Sequence, residues 1–314
     1  MKPASAPPKR ELDAVGVMCH LVRPTLQDCA DVAAAAEAAG AGWCMFPDAL
    51  GWRDVWLCLG AAAAATSHII IGPGVTNPYT RHPFVTIAAL ATLDEISGGR
   101  TMLGVAAGGS ELSAIAGIDR SDSPDKLRSL IEMLRKAADG DSPIPYAPSI
   151  PNVPVVGGAR GPQMLQTVAE TCDIALLWGQ THGLLQEAAS AVRGHRAAIA
   201  WAPLRRADMA HVNDALVYGV LNSPPAVRRK LGVDDTLEQQ IRSRLMERGM
   251  DYAAALVPDS AVAEFVVDDD LDAARVVATQ LGARHIIVQV FATADVAERV
   301  TWARGLADSL SAGD

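Results

Sequence analysis

Short apolar runs alternate with longer Ala- and Leu-rich runs along the whole of this chain, and that rhythm limits its fold more than any other feature. Strand-length runs occur at Val15–Leu21, Trp43–Pro47, Ile69–Val75, Thr101–Ala106, Val153–Gly157, Ile174–Trp178, Ala215–Leu221 and Ile286–Val290. Helical sequence follows each. Thr25-x-x-Asp28 predicts a capping box ahead of a helix with Leu26, Cys29, Val32, Ala33 and Ala36 on one face, ending at Gly40. Ser123-Pro124 opens another, with Leu127, Leu130, Ile131 and Leu134 on one face and Gly140 as its stop. The strand runs are apolar throughout, as in a parallel sheet covered by helices. Eight such units predict a (β/α)8 barrel whose C-terminal strand ends carry the site; a doubly wound open sheet is the alternative. The expected organisation is a polar, Pro-rich arm over residues 1–12 and one barrel domain over 13–314. A mostly helical insertion at about 222–258 opens with Ser223-Pro224-Pro225, and Pro143–Pro154 reads as a connection between half-barrels.

Composition removes several classes of function. The 314 residues are half apolar, enough for a large core, and the net charge of −9 argues against nucleic acid or an anionic membrane as partner. An aromatic content of 4% offers no stacking platform for nucleic acid. The longest apolar runs, such as Trp56–Thr66, are shorter than the roughly 18 residues of a membrane span. Five scattered cysteines without a C-x-x-C pair point to a reducing compartment. The opening MKPASAPPKR has no apolar stretch of the secretory kind, so the expected location is cytoplasmic. Seven dispersed histidines lack ligand spacing, and no metal is expected. Phosphate-loop, H-E-x-x-H and G-x-S-x-G patterns are absent.

The informative stretch runs from Gly72-Pro73-Gly74-Val75-Thr76-Asn77-Pro78-Tyr79-Thr80-Arg81-His82-Pro83, through Leu93-Asp94-Glu95-Ile96-Ser97-Gly98-Gly99-Arg100, to Leu103-Gly104-Val105-Ala106-Ala107-Gly108-Gly109-Ser110. Small residues at strand ends let a flat ligand approach the backbone. Further on, Gly157-Gly158-Ala159-Arg160-Gly161-Pro162 sets successive small residues before a helix N-terminus, a geometry suited to an anion. Together with Trp43–Asp48 and Cys172–Ala175, these residues resemble the luciferase-like flavin and F420-dependent oxidoreductases. The similarity is closest to the branch containing F420-dependent methylenetetrahydromethanopterin reductase.

The resemblance implies a luciferase-like barrel with insertions, a homodimer, and coenzyme F420, or alternatively FMN, at the barrel mouth. It implies a non-prolyl cis peptide at Gly74-Val75 behind the ring system. Thr76, Asn77 and Gly108 fall beside it. Gly157, Gly158, Ala159, Arg160 and Gly161 fall at the phosphate, with Trp178 and Gly179 near the same cofactor arm. Asp48 matches an acidic position close to the ring. The chain departs from the pattern where relatives carry a histidine after that aspartate (here Ala49), an acidic residue after the fourth strand (here Gly109-Ser110) and a glutamate in the first strand (here Met18). Asp48, His20 and Glu111 are therefore the candidates for proton transfer. The basic run Arg228-Arg229-Lys230, with Arg242 and Arg244, is either a solvated helix face or a receptor for an acidic cofactor tail. Three functions follow: hydride transfer between F420 and a small organic substrate, an FMN-dependent monooxygenase, or a non-catalytic barrel acting as a binding or structural subunit.

Overall fold

The structure, a computed structural model, describes residues 11–21, 24–141, 152–211 and 213–312, without the side chains of 110–112 and 214. Most of the expected arm, and most of Pro143–Pro154, lie outside the described residues. The elements are β1 (Val15–Cys19), α1 (Leu26–Ala38), β2 (Trp43–Phe46), α2 (Val55–Ala64), β3 (Ile70–Pro73), α3 (Pro83–Ser97), β4 (Leu103–Ala106), α4 (Ser110–Ile115), α5 (Ser123–Ala138), β5 (Val155–Gly158), α6 (Pro162–Thr171), β6 (Ile174–Trp178), α7 (His182–Val192) and β7 (Ala198–Ala202). Then come β8 (Leu204–Arg205), α8 (Asn213–Leu221), α9 (Pro225–Lys230), α10 (Asp235–Arg248), α11 (Met250–Ala254), α12 (Asp259–Phe265), β9 (Val266–Val267), α13 (Leu271–Leu281), β10 (Ala283–Val290) and α14 (Val296–Ser311).

Eight strands form one parallel sheet in the order β3-β2-β1-β10-β7-β6-β5-β4. Bridges Ile71–Thr101 and Thr76–Val105 bring its two edges together into a barrel. At this seam a Cβ on Gly72 would collide with the Met102 carbonyl, and one on Gly104 with the Pro73 carbonyl. Glycine is thus what lets β3 and β4 approach. Between the two bridges the chain bulges, and the Gly74–Val75 peptide is cis, as the resemblance implies.

Alternate residues of the strands face two cores. Val15, Val17, Cys44, Ile71, Val105, Val155 and Leu177 pack outward under the helices. Met18, Trp43, Met45, Met102, Val156, Leu176 and Ile287 fill the barrel, and Leu12 joins them. The predicted capping box forms: Thr25 Oγ1 accepts from the Asp28 N–H at 3.1 Å, and Asp28 accepts from the Thr25 N–H at 2.7 Å.

The predicted strand Ala215–Leu221 is a correction: it is helix α8, and the seventh barrel strand is Ala198–Ala202. An apolar run of this length fits a buried strand and a buried helix equally well. Here Leu216, Val217 and Val220 of α8 pack with Ile241 and Phe265 in a second core built from the elements between β7 and β10. Arg228 and Arg242 are engaged within that segment, both binding Glu238. All five cysteines are free and buried. Among the described residues no helix is long and apolar enough to cross a membrane.

Candidate functional site

The strand ends place the candidate residues in two groups on one rim. The first belongs to β2, β3 and β4. Asp48, two residues past β2, accepts a hydrogen bond from Thr76 Oγ1 at 2.6 Å. Thr76 is fixed by its own backbone, donating to Gly104 O and accepting from Ala106 N, both at 2.9 Å. Burial pushes the Asp48 carboxyl above its ordinary value, with the Thr76 hydroxyl partly opposing the shift. Asn77 Oδ1 accepts the N–H groups of Tyr79 and Thr80 at 3.0 Å each, so this side chain folds the loop. Gly108, at φ +83°, lies against Asn77. Glu111 is on α4, and its side chain is outside the described residues.

The second group belongs to β5, β6, β1 and β10. Arg160 donates to the Tyr218 carbonyl of α8 at 3.2 Å and lies over the Trp178 ring, 5.7 Å from its centroid. Gly179, at φ +61°, makes room: a Cβ there would sit 2.8 Å from Arg160 Nη2. Trp178 stacks on His20 at 5.4 Å between centroids, and His20 contacts Phe291 at 5.8 Å. Gly161 is the N-cap of α6 and supplies no side-chain cap, leaving the first N–H groups of that helix for another acceptor.

Two glycines of the turn differ in direction. A Cβ on Gly157 would meet Cys172 Sγ and Val168, so this glycine faces outward and serves the packing of β5 on α6. Gly158 faces inward, with its Cβ direction towards Ala106 and Val75. Val75 also leans over Gly104 and joins the two groups. Beside Asp48 opens a cavity of about 500 Å³ whose wall includes Trp52, Thr80, Arg81, His82 and Val85. Its Arg81 is paired with Asp54.

Among the described residues some buried polar atoms have no protein partner, and several of them lie on residues that sequence reasoning did not single out. Trp178 Nε1, on the last residue of β6 and already a candidate, is one unmatched donor, and Gln180 Nε2, two residues beyond it, is a new one. Gln289, 1% exposed and pointing into the barrel between Ile287 and Phe291, donates to the Pro203 carbonyl but leaves its Oε1 unmatched. An isolated glutamine carries no pattern by which a sequence would announce it. Among the described residues no group of three or more His, Cys, Asp or Glu is placed to hold a metal ion.

Comparison with known proteins agrees with the geometry. The luciferase-like monooxygenase family matches residues 11–288. A 5,10-methylenetetrahydromethanopterin reductase of Archaeoglobus fulgidus is 34% identical over 154 residues, covering 45% of this chain and 46% of the relative, about half its length. The enzyme of that name from Methanopyrus kandleri is 26% identical over 71% of this chain and 79% of its own. Among solved structures, the coenzyme F420 dependent tetrahydromethanopterin reductase of Methanopyrus kandleri superposes with a TM-score of 0.75 at 21% identity, covering 93% of this chain and 98% of that one. The chain belongs to the luciferase-like flavin and F420 oxidoreductase family and is related to its methylenetetrahydromethanopterin reductase branch.

Proposed function

We propose that the chain transfers a hydride between coenzyme F420 and a small organic substrate. The observation that carries this reading is the donor set at the second group: Arg160, the uncapped start of α6, and the buried, unmatched N–H groups of Trp178 and Gln180. A phosphate-bearing cofactor arm fits such a set, because an anion at a helix N-terminus satisfies donors that the protein leaves open. The bound cofactor would supply the hydride chemistry, and the protein would hold and orient it. Val75 and the small residues at the ends of β3, β4 and β5 would form the surface for its ring. Asp48, half-buried in the wall of the 500 Å³ cavity, would exchange a proton with the substrate. His20, stacked against Trp178, borders the same rim.

An FMN-dependent monooxygenase is the second reading, favoured by 31% identity over 99 residues to a 4-hydroxyprotoasukamycin monooxygenase of Streptomyces nodosus. Methanopterin reductases match over longer stretches, and the solved one is coenzyme F420 dependent, which supports F420. Fluorescence titration of the purified chain with each cofactor tests the choice. The expected result is at least tenfold tighter binding of F420. A wide preference for FMN would transfer the assignment to the second reading, and failure of both to bind would leave the non-catalytic barrel.

The proposed assembly is a homodimer through α2 and α3. Helix α2 has no charged residue, yet Leu57 on it is 67% exposed, while Val85 and Ile96 on α3 are 50% and 55% exposed. An apolar helix with an open face calls for a partner surface. Leu57→Arg is expected to convert a dimer to a monomer in light scattering. A wild-type chain that runs as a monomer at all concentrations would refute the assembly.

A further inference from the structure

We propose that the N-terminal end of the barrel, opposite the candidate site, carries an anion site for a small phosphate- or carboxylate-bearing molecule. Strands β7 and β10 are hydrogen-bonded neighbours, with Ile199 opposite Ala283. The loops that enter them, after α7 and after α13, therefore lie side by side. Between them is a cavity of about 250 Å³ whose wall includes Arg193, His195, Arg196 and Arg284 and, among the described residues, no carboxylate. In a chain of net charge −9 a purely basic cavity departs from the average surface.

Two of its guanidiniums are already held in place. Arg193 donates to the Gln280 carbonyl and passes over Gly282. Arg196 donates to Asp173 Oδ1, at 2.7 Å from Nη2. Asp173 also accepts from Arg135 at 2.6 Å, so one carboxylate serves two guanidiniums. Arg284 is exposed and has no ion pair among the described residues.

Basic residues near helix C-termini have an ordinary role, since each helix end carries roughly half a negative charge. The ends of α7 and α13 together offset about one of the three guanidiniums by that measure. Asp173 is shared with Arg135 and adds no net compensation. A positive excess therefore faces the cavity. Its size is below the roughly 300–1,000 Å³ of pockets for drug-sized ligands and suits a compact anion. Guanidinium forks bind phosphate and carboxylate in the same bidentate manner, so the two share one recognition chemistry.

Calorimetric titration of the full chain with inorganic pyrophosphate, and separately with citrate, tests the site at low ionic strength. In an Arg160→Ala background, which removes the phosphate-binding guanidinium at the opposite end of the barrel, one saturable site is expected, weakened at least tenfold by adding Arg284→Glu or Arg193→Ala. Tighter pyrophosphate would identify a phosphate-bearing ligand, and tighter citrate a carboxylate-bearing one. Arg284 is exposed and has no ion pair among the described residues, so its substitution reports on binding with folding intact. Absence of saturable binding of either anion in that background, or an affinity there that Arg284→Glu leaves unchanged, would overturn the proposal.

Discussion

Replacing Arg160 by Ala is expected to weaken F420 binding by about ten- to a hundredfold, because a hydrogen bond to a charged group contributes about 1.5–3 kcal/mol. The side chain is set for that task before any ligand arrives. Its guanidinium is held by the Tyr218 carbonyl and lies along the Trp178 ring, and the missing Cβ of Gly179 leaves it room. A pre-ordered donor loses little conformational freedom on binding. The same contacts give Arg160 a structural part, since Tyr218 belongs to α8. A second titration separates the two roles. With a deazaflavin lacking the phosphate arm, wild type and Arg160→Ala should bind equally, and Arg160→Lys should restore only part of the affinity for the complete cofactor. Equal losses with and without the phosphate would make Arg160 a structural residue and remove it from the cofactor site.

What the sequence made legible was local. The Thr25–Asp28 capping box lies within four residues, and it forms as read. The third and fourth strands were legible around the Gly72–Ser110 stretch, and the bulge between them followed from the resemblance, but its glycines read as a ligand surface, and only the packing shows Gly72 and Gly104 letting β3 and β4 approach. Legibility failed where one pattern suits two structures. Ala215–Leu221 is apolar throughout because α8 is enclosed between Trp178 and the helices that follow, not because it is a strand. Ala198–Ala202 carries little strand signal because alanine has low strand propensity of its own; burial between β6 and β10 makes it a strand. Pairings across long separations were also hidden. Thr76 meets Asp48 across 28 positions and Arg160 meets Tyr218 across 58, and no spacing rule reaches so far. Gly157 shows a subtler gap: its place beside Gly158 was legible, but only the packing of Val168 and Cys172 reveals that it faces away from the rim.

Asp48→Asn is expected to lower turnover of the F420-loaded protein by about 10²- to 10⁴-fold, the usual contribution of a positioned general acid or base. Cofactor affinity should change little. The substitution keeps an oxygen for the Thr76 hydroxyl and removes only the titratable proton. Burial raises the Asp48 pKa, so activity that needs the carboxylate as proton acceptor should rise with pH through that elevated value. Thr76→Val deletes a donor that favours the ionised form, and the rising limb should move to higher pH. The sign for stability is opposite to that for activity. A carboxyl whose pKa is raised by folding holds its proton more firmly in the native state than in the unfolded one. Stability therefore falls as pH climbs from the ordinary aspartate value through the raised one, and is level on either side. Asp48→Asn removes this penalty. The variant should be at least as stable as wild type near neutral pH, and the difference should vanish in acid where both forms of the aspartate are protonated. Loss of activity together with equal or greater stability is the signature of a group kept for chemistry at a cost to the fold. Unchanged turnover in Asp48→Asn, or a variant that is markedly less stable at neutral pH, would show that Asp48 serves the β2–β3 rim as a structural partner of Thr76 and that the proton moves elsewhere.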